Sequence, residues 1–151
     1  MARRLELDVS YASRSPWAPS ARLLGKWAEA ALVPRAGPHV LSVRIVGKAR
    51  SRSLNSRYRH KHKPTNVLSF AGAGIVPDGR TFLGELVICA PLVALEAHAQ
   101  GKTLRAHWAH LTVHGVLHLL GFDHERATPA RKMAAREIQI LDRLGFSDPY
   151  R

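Results

Sequence analysis

Leu5, Leu7 and Val9 alternate with Glu6 and Asp8, the period of two that marks a strand with one buried face. Pro19-Ser20 then opens a helix in which Leu23, Leu24, Trp27 and Ala31 share a face, ending before Pro34. Val40 to Val46 alternates again, setting Leu41, Val43 and Ile45 opposite Ser42 and Arg44, and predicts a second strand. Residues 49–59, with Leu54 and Tyr58 four apart, read as a short basic helix that Pro64-Thr65 breaks. Val67 to Phe70 predicts a third strand, Ala71 to Gly79 a flexible loop with three glycines and Pro77, and Phe82 to Cys89 a fourth strand. Pro91 suits the first turn of a helix running to about Gln100 and stopped by Gly101. Thr103 can cap a long helix, 103–120, where Gly121 supplies a left-handed stop. Thr128-Pro129 opens the last helix and Gly145 closes it. Strands early, helices late and no strict alternation predict an α+β fold, a small mixed sheet of about four strands packed with helices.

Composition bounds this picture. A length of 151 residues predicts a single domain, 1–151, and 46% hydrophobic against 23% charged residues supply one real core. The one cysteine, Cys89, excludes an internal disulfide framework and a cysteine-rich zinc finger. The first residues reach Glu6 and Asp8 before any apolar stretch, unlike a signal peptide. The longest apolar run, Leu86 to Leu95, contains Pro91 and is about half the ~20 residues of a membrane span. The expectation is a soluble, cytoplasmic protein with no membrane partner.

Charge adds the first functional hint. The net charge of +12 makes a polyanion the natural partner. It is unevenly placed: no acidic residue occurs between Glu29 and Asp78, a window that holds Arg35, Arg44, Lys48, Arg50, Arg52, Arg57, Arg59, Lys61 and Lys63. A charge run of this kind also serves as a solvated face that keeps a protein soluble, so it does not by itself define a site.

The histidines carry more. Nine occur in the chain, and His107, His110, His114, His118 and His124 fall within 18 residues. Four helical residues turn through about 400°, so His114 and His118 project from one face a turn apart, close enough for one metal ion. Gly121 allows Phe122-Asp123-His124 to fold back, offering His124 as a third ligand. Three neutral imidazoles suit Zn²⁺, one per chain, with a fourth position for water. His110 has the same spacing to His114 as His118 does, but the turn at Gly121 favours His118 and leaves His110 and His107 to packing or ligand support. Asp123 either orients a ligating imidazole or satisfies backbone donors of the turn. Position 115 is glycine, where a His-Glu-x-x-His zinc peptidase carries its general base, so proteolysis is disfavoured. Glu85 and Glu125 are the acids that could compensate. Phosphodiester cleavage fits the basic tract better, because zinc and a guanidinium together stabilise charge on a phosphorane-like centre.

His114-Gly-Val-Leu-His118-Leu-Leu-Gly121-Phe-Asp123-His124 resembles the signature of the YbeY family of bacterial endoribonucleases. Leu54-Asn55 with Tyr58-Arg59, Pro64-Thr65-Asn66-Val67-Leu68-Ser69-Phe70, Gly84-Glu85-Leu86-Val87-Ile88-Cys89 and the closing Asp148-Pro149-Tyr150 agree with it. The resemblance runs from about Val40 to Tyr150. It implies a zincin-like domain with zinc on His114, His118 and His124, and Arg59 important for cleaving RNA. The implied substrate is single-stranded RNA, notably the 3′ end of small-subunit ribosomal RNA, with ribosomal partners, a role in ribosome quality control, and no DNA. Lys61 and Lys63, and less directly Arg57, would track the RNA backbone. Two departures stand out: Ala71 stands where many relatives have proline, which bears only on a local turn, and the stretch after His124 is basic where relatives often carry an acid-rich one, which adds positive charge near the implied metal. The competing readings are a zinc-braced assembly factor without catalysis and, with less support, a metallopeptidase.

Overall fold

The computed structural model describes residues 5–12, 15–32, 38–75, 77–122 and 127–151. Four strands and five helices follow one another as β1 (Leu5–Tyr11), α1 (Ala21–Leu32), β2 (His39–Val46), α2 (Lys48–Arg59), β3 (Val67–Ile75), β4 (Thr81–Cys89), α3 (Ala90–Ala99), α4 (Leu104–Leu119) and α5 (Ala127–Arg143). The sheet order is β1-β2-β4-β3. β1, β2 and β4 run parallel, and β3 is antiparallel to β4. The predicted α+β class holds, and the sheet is mixed.

The alternation read in the sequence sets which face is buried. Leu41, Val43 and Ile45 of β2 join Leu86 and Ile88 of β4 in the main core, against Leu24, Trp27 and Ala31 of α1. Val46, Leu68 and Val87 lie in a smaller cluster with Leu54 of α2. β4 is therefore buried on both faces, as its continuous apolar run requires. α4 contributes Trp108, Val113, Val116 and Leu117 to the main core, and α5 contributes Met133, Ile140 and Leu141. A helix apolar nearly all round is a buried helix, and α4 packs against α1, α3, α5, β3 and β4. Its histidines, with Arg105 and Thr112, are the polar exceptions on a central element.

One expected loop is a strand. β3 continues past Phe70 to Ile75, with an irregularity between Ala71 and Gly74. The glycines permit close approach here: a Cβ on Gly72 would lie 2.3 Å from the Phe82 carbonyl oxygen, and one on Gly84 2.1 Å from that of Phe70. Glycine in a strand marks such backbone proximity as well as flexibility. No helix among the described residues is long and apolar enough to cross a membrane.

Candidate active site

α4 starts where the sequence places its cap, with Thr103 Oγ1 accepting from Ala106 N at 3.0 Å. His107, His110, His114 and His118 follow at steps of three and four, and the rings of successive members lie 6.2 Å apart. At the other end Gly121 has a φ of 99°. Gly121 N donates to His118 O at 3.0 Å and Phe122 N to Leu117 O at 3.1 Å, folding the chain back under the helix. That turn brings the Phe122 carbonyl to His118 Nδ1, 2.9 Å away. His114 Nδ1 meets Glu137 Oε1 of α5 at 2.5 Å.

A carbonyl and an ionised carboxylate only accept hydrogen bonds. Both histidines therefore carry a proton on Nδ1, and whenever the ring is neutral its lone pair lies on Nε2, the arrangement a metal ligand needs. Glu137 is fully buried. Burial alone would push its pKa up, but hydrogen bonds from His110, His114 and Tyr150 and the charge of His114 outweigh it and hold the carboxyl at about 2. Burial, followed by the hydrogen bond and charge of Glu137, raises the Tyr150 hydroxyl well above its usual range. His110 Nε2 reaches Glu137 Oε2 at 3.1 Å, while His107 Nε2 reaches Glu96 at 2.9 Å. Ligand atoms of His110, His114 and Glu137 all lie within 4.8 Å of one another, a cluster that could hold a metal ion.

Facing this histidine wall is a cationic one. α2 ends with His60 in the left-handed region, φ 58°. His60 N donates to Ser56 O at 3.1 Å and Lys61 N to Asn55 O at 3.3 Å, so the chain reverses immediately after Arg59. Two buried polar side chains of α2 then hold the returning segment. Asn55 Nδ2 donates to Lys63 O at 2.8 Å, and Ser51 Oγ donates to Thr65 O at 2.8 Å while accepting from Thr65 N at 2.9 Å. The Arg59 guanidinium is steadied by a 3.1 Å bond to Ser69 O of β3. Arg59, Lys61 and Lys63 line one cleft of about 540 Å³ together with His114 and His118.

Other expected residues lie elsewhere. Arg57 stands over the Tyr58 ring, 5.4 Å from its centroid, and does not line that cleft. Glu85 is engaged in the sheet by Arg44, at 2.6 and 2.9 Å. Asp123, His124 and Glu125 lie outside the described residues. Gly115 faces the sheet, and a Cβ there would meet Leu86 Cδ2 at 2.8 Å, so a larger side chain at the peptidase base position would require Leu86 to shift. Glu137 was not anticipated, although it interrupts the apolar stripe of Met133, Ile140 and Leu141 at helical spacing. That interruption is the available sequence signal.

The family model described as Endoribonuclease YbeY matches residues 21–145, which includes both walls. The chain belongs to the YbeY family. An Endoribonuclease YbeY from Stenotrophomonas maltophilia (strain R551-3) is 49% identical, with the match covering 97% of this chain and 94% of that protein. Another, from Coxiella burnetii (strain Dugway 5J108-111), is 46% identical over 97% of this chain and 98% of its own. Both carry the name of endoribonucleases, hydrolases that act on RNA. The solution structure of a Thermotoga maritima protein matches with a TM-score of 0.59 at 21% identity, covering 97% of this chain and 99% of that one, and shows the same fold. Within the YbeY family frame, the sequence blocks around Asn55, Thr65 and His114 are the segments that meet at this cleft.

Proposed function

We propose that this single-domain chain is a zinc-dependent endoribonuclease that cuts single-stranded RNA in the cytoplasm. Its roles would be maturation of the small-subunit ribosomal RNA 3′ end and ribosome quality control. The observation that carries the reading is the shared cleft, in which Arg59, Lys61 and Lys63 face His114 and His118. Membership of the YbeY family supports RNA as the polyanion.

The donor set suits zinc. His114 and His118 have Nδ1 engaged and Nε2 carrying the lone pair, and His124 would complete the set from the segment after the Gly121 turn, with Asp123 beside it. Bound zinc would act as a Lewis acid and lower the pKa of a water from ~15.7 to about 7. Arg59, with one amino group anchored on Ser69 O, retains other donors of its planar fork for a phosphate oxygen. Lys61 and Lys63 attract the flanking phosphates, and Arg57 extends that field along the outer surface. No acidic residue lies between Glu29 and Asp78 to oppose them.

Metal analysis paired with a ribonuclease assay on wild type and His114→Ala tests the reading. The expected result is about one zinc per wild-type chain and RNA cleavage that His114→Ala abolishes along with most of the metal. Zinc binding without any RNA cleavage by the wild type would favour the non-catalytic assembly factor instead.

A further inference from the structure

We infer that Glu137 is a positioning residue that fixes His114 in the cleft-facing orientation, and that Tyr150, at the end of the chain, pins Glu137. The metal-affinity arm of this inference rests on the reading of His114 as a zinc ligand; the rest does not.

The geometry separates a hydrogen-bonded network from a ligand set. Two ligands of one tetrahedral zinc, each at about 2.1 Å, lie roughly 3.4 Å apart. His114 Nδ1 and Glu137 Oε1 are 2.5 Å apart, too close for two ligands on one ion and right for a charge-assisted hydrogen bond. The division of labour between the oxygens agrees: Oε1 receives His114, while Oε2 receives His110 Nε2 at 3.1 Å and the Tyr150 hydroxyl. A buried carboxylate without such donors is strongly unfavourable, so three donors explain how an ionised acid sits within the apolar stripe of α5. Its charge in turn favours Nδ1–H on His114 and leaves Nε2 as the coordinating nitrogen.

Tyr150 connects this network to the C-terminal turn. Its backbone N donates to Asp148 Oδ1 at 2.8 Å, and its ring meets His110 edge-on at 5.4 Å. Tyr150 is half exposed, so losing its hydroxyl leaves the core intact and removes one of the three donors. The structure thus ranks the perturbations: Glu137→Gln removes the charge that sets the tautomer, whereas Tyr150→Phe only loosens the acceptor.

The experiment uses the full chain and has two readouts. In metal-free protein, nitrogen–proton NMR correlation of the His114 ring should show Nδ1–H in the wild type, a mixture with Nε2–H in Glu137→Gln, and nearly wild-type behaviour in Tyr150→Phe. Zinc competition against a chromogenic chelator should show affinity about 10- to 100-fold weaker in Glu137→Gln, with a smaller loss in Tyr150→Phe and in His110→Ala. An Nε2–H tautomer of His114 in the wild type overturns the inference. So does a folded Glu137→Gln protein that holds zinc within about twofold of wild type. His110→Ala losing zinc as completely as His114→Ala would make His110 a ligand and overturn it as well. If Glu137→Gln does not fold, the wild-type tautomer and Tyr150→Phe still decide. A wild type that binds no zinc defeats the proposed cofactor, while the tautomer readout continues to judge Glu137.

Discussion

On one side of the cleft, imidazoles are oriented by a buried charge; on the other, exposed charges are carried by a backbone that buried neutral side chains hold. Glu137 has no exposure and organises His110 and His114. Asn55 and Ser51, also buried, grip the backbone at Lys63 and Thr65, leaving the cationic side chains in solvent. The physics differs accordingly. A metal ligand must point within a few tenths of an ångström, so its wall is rigid and tolerates little. An exposed cation attracts a phosphate over a Debye length of about 8 Å in physiological salt, so its wall needs charge in the right region and only one precisely held group, Arg59. Substitutions in the two walls should therefore fail in distinguishable ways.

The largest separation is expected from Arg59→Ala. Removing one donor aimed at developing charge costs on the order of 100-fold in turnover, about 2.7 kcal/mol, so RNA cleavage should fall by that factor while zinc content stays at the wild-type level. Arg59→Lys should recover only part, because an ammonium keeps the charge and lacks the fork. Loss of zinc in either variant would show that the walls are not independent. Asn55→Ala comes next: losing the bond to Lys63 O should lower stability by about 1 to 2 kcal/mol in urea unfolding and weaken RNA binding, with zinc affinity unchanged. Unaltered RNA affinity would mean that the segment holds its shape without Asn55. A Lys61→Ala, Lys63→Ala double variant should act more mildly. The slope of log K against log salt should become shallower by about 0.7 for each phosphate that is no longer neutralised, and an unchanged slope would remove both lysines from the RNA surface.

How far the sequence reveals these walls depends on the range of the interactions that build them. The Thr103 cap, the His114 and His118 face and the Gly121 turn depend on neighbours within one helical turn, and all three stand as expected. The cationic residues are equally visible, but their meeting with His114 depends on β3 pairing with β4, an arrangement set by sheet order. Glu137 reaches His114 across 23 residues; helical periodicity marks it as out of place without naming its partner. The same limit applies to Gly72 and Gly84, whose close approach is a property of two strands that neither strand's sequence expresses alone. His124 and Asp123 fall outside the described residues, so the proposed third ligand rests on the sequence and the family resemblance alone.

The smallest effect concerns a histidine of the same helix that does not line the cleft with His114 and His118. His107 is 3% exposed, and its pKa lies below 6.5 because burial disfavours the charged ring. The hydrogen bond and charge of Glu96 oppose that fall, while the charges of Lys102 and His110 add to it. In the unfolded chain His107 takes up a proton near pH 6.5, whereas the folded chain takes it up only at lower pH. Between those two values the unfolded state binds more protons, so stability is full above about pH 6.5 and declines as pH falls through the folded pKa. His107→Gln removes this contribution. In metal-free protein, the drop in urea midpoint between about pH 7 and about pH 5.5 should be smaller in the variant than in the wild type. Identical drops would mean that His107 titrates alike in both states and that Glu96 fully offsets its burial. The comparison then extends inward: the helix that offers two imidazoles to the cleft keeps a third one neutral in the interior, where burial outweighs the nearby Glu96, whereas at His114 the buried carboxylate of Glu137 orients the ring.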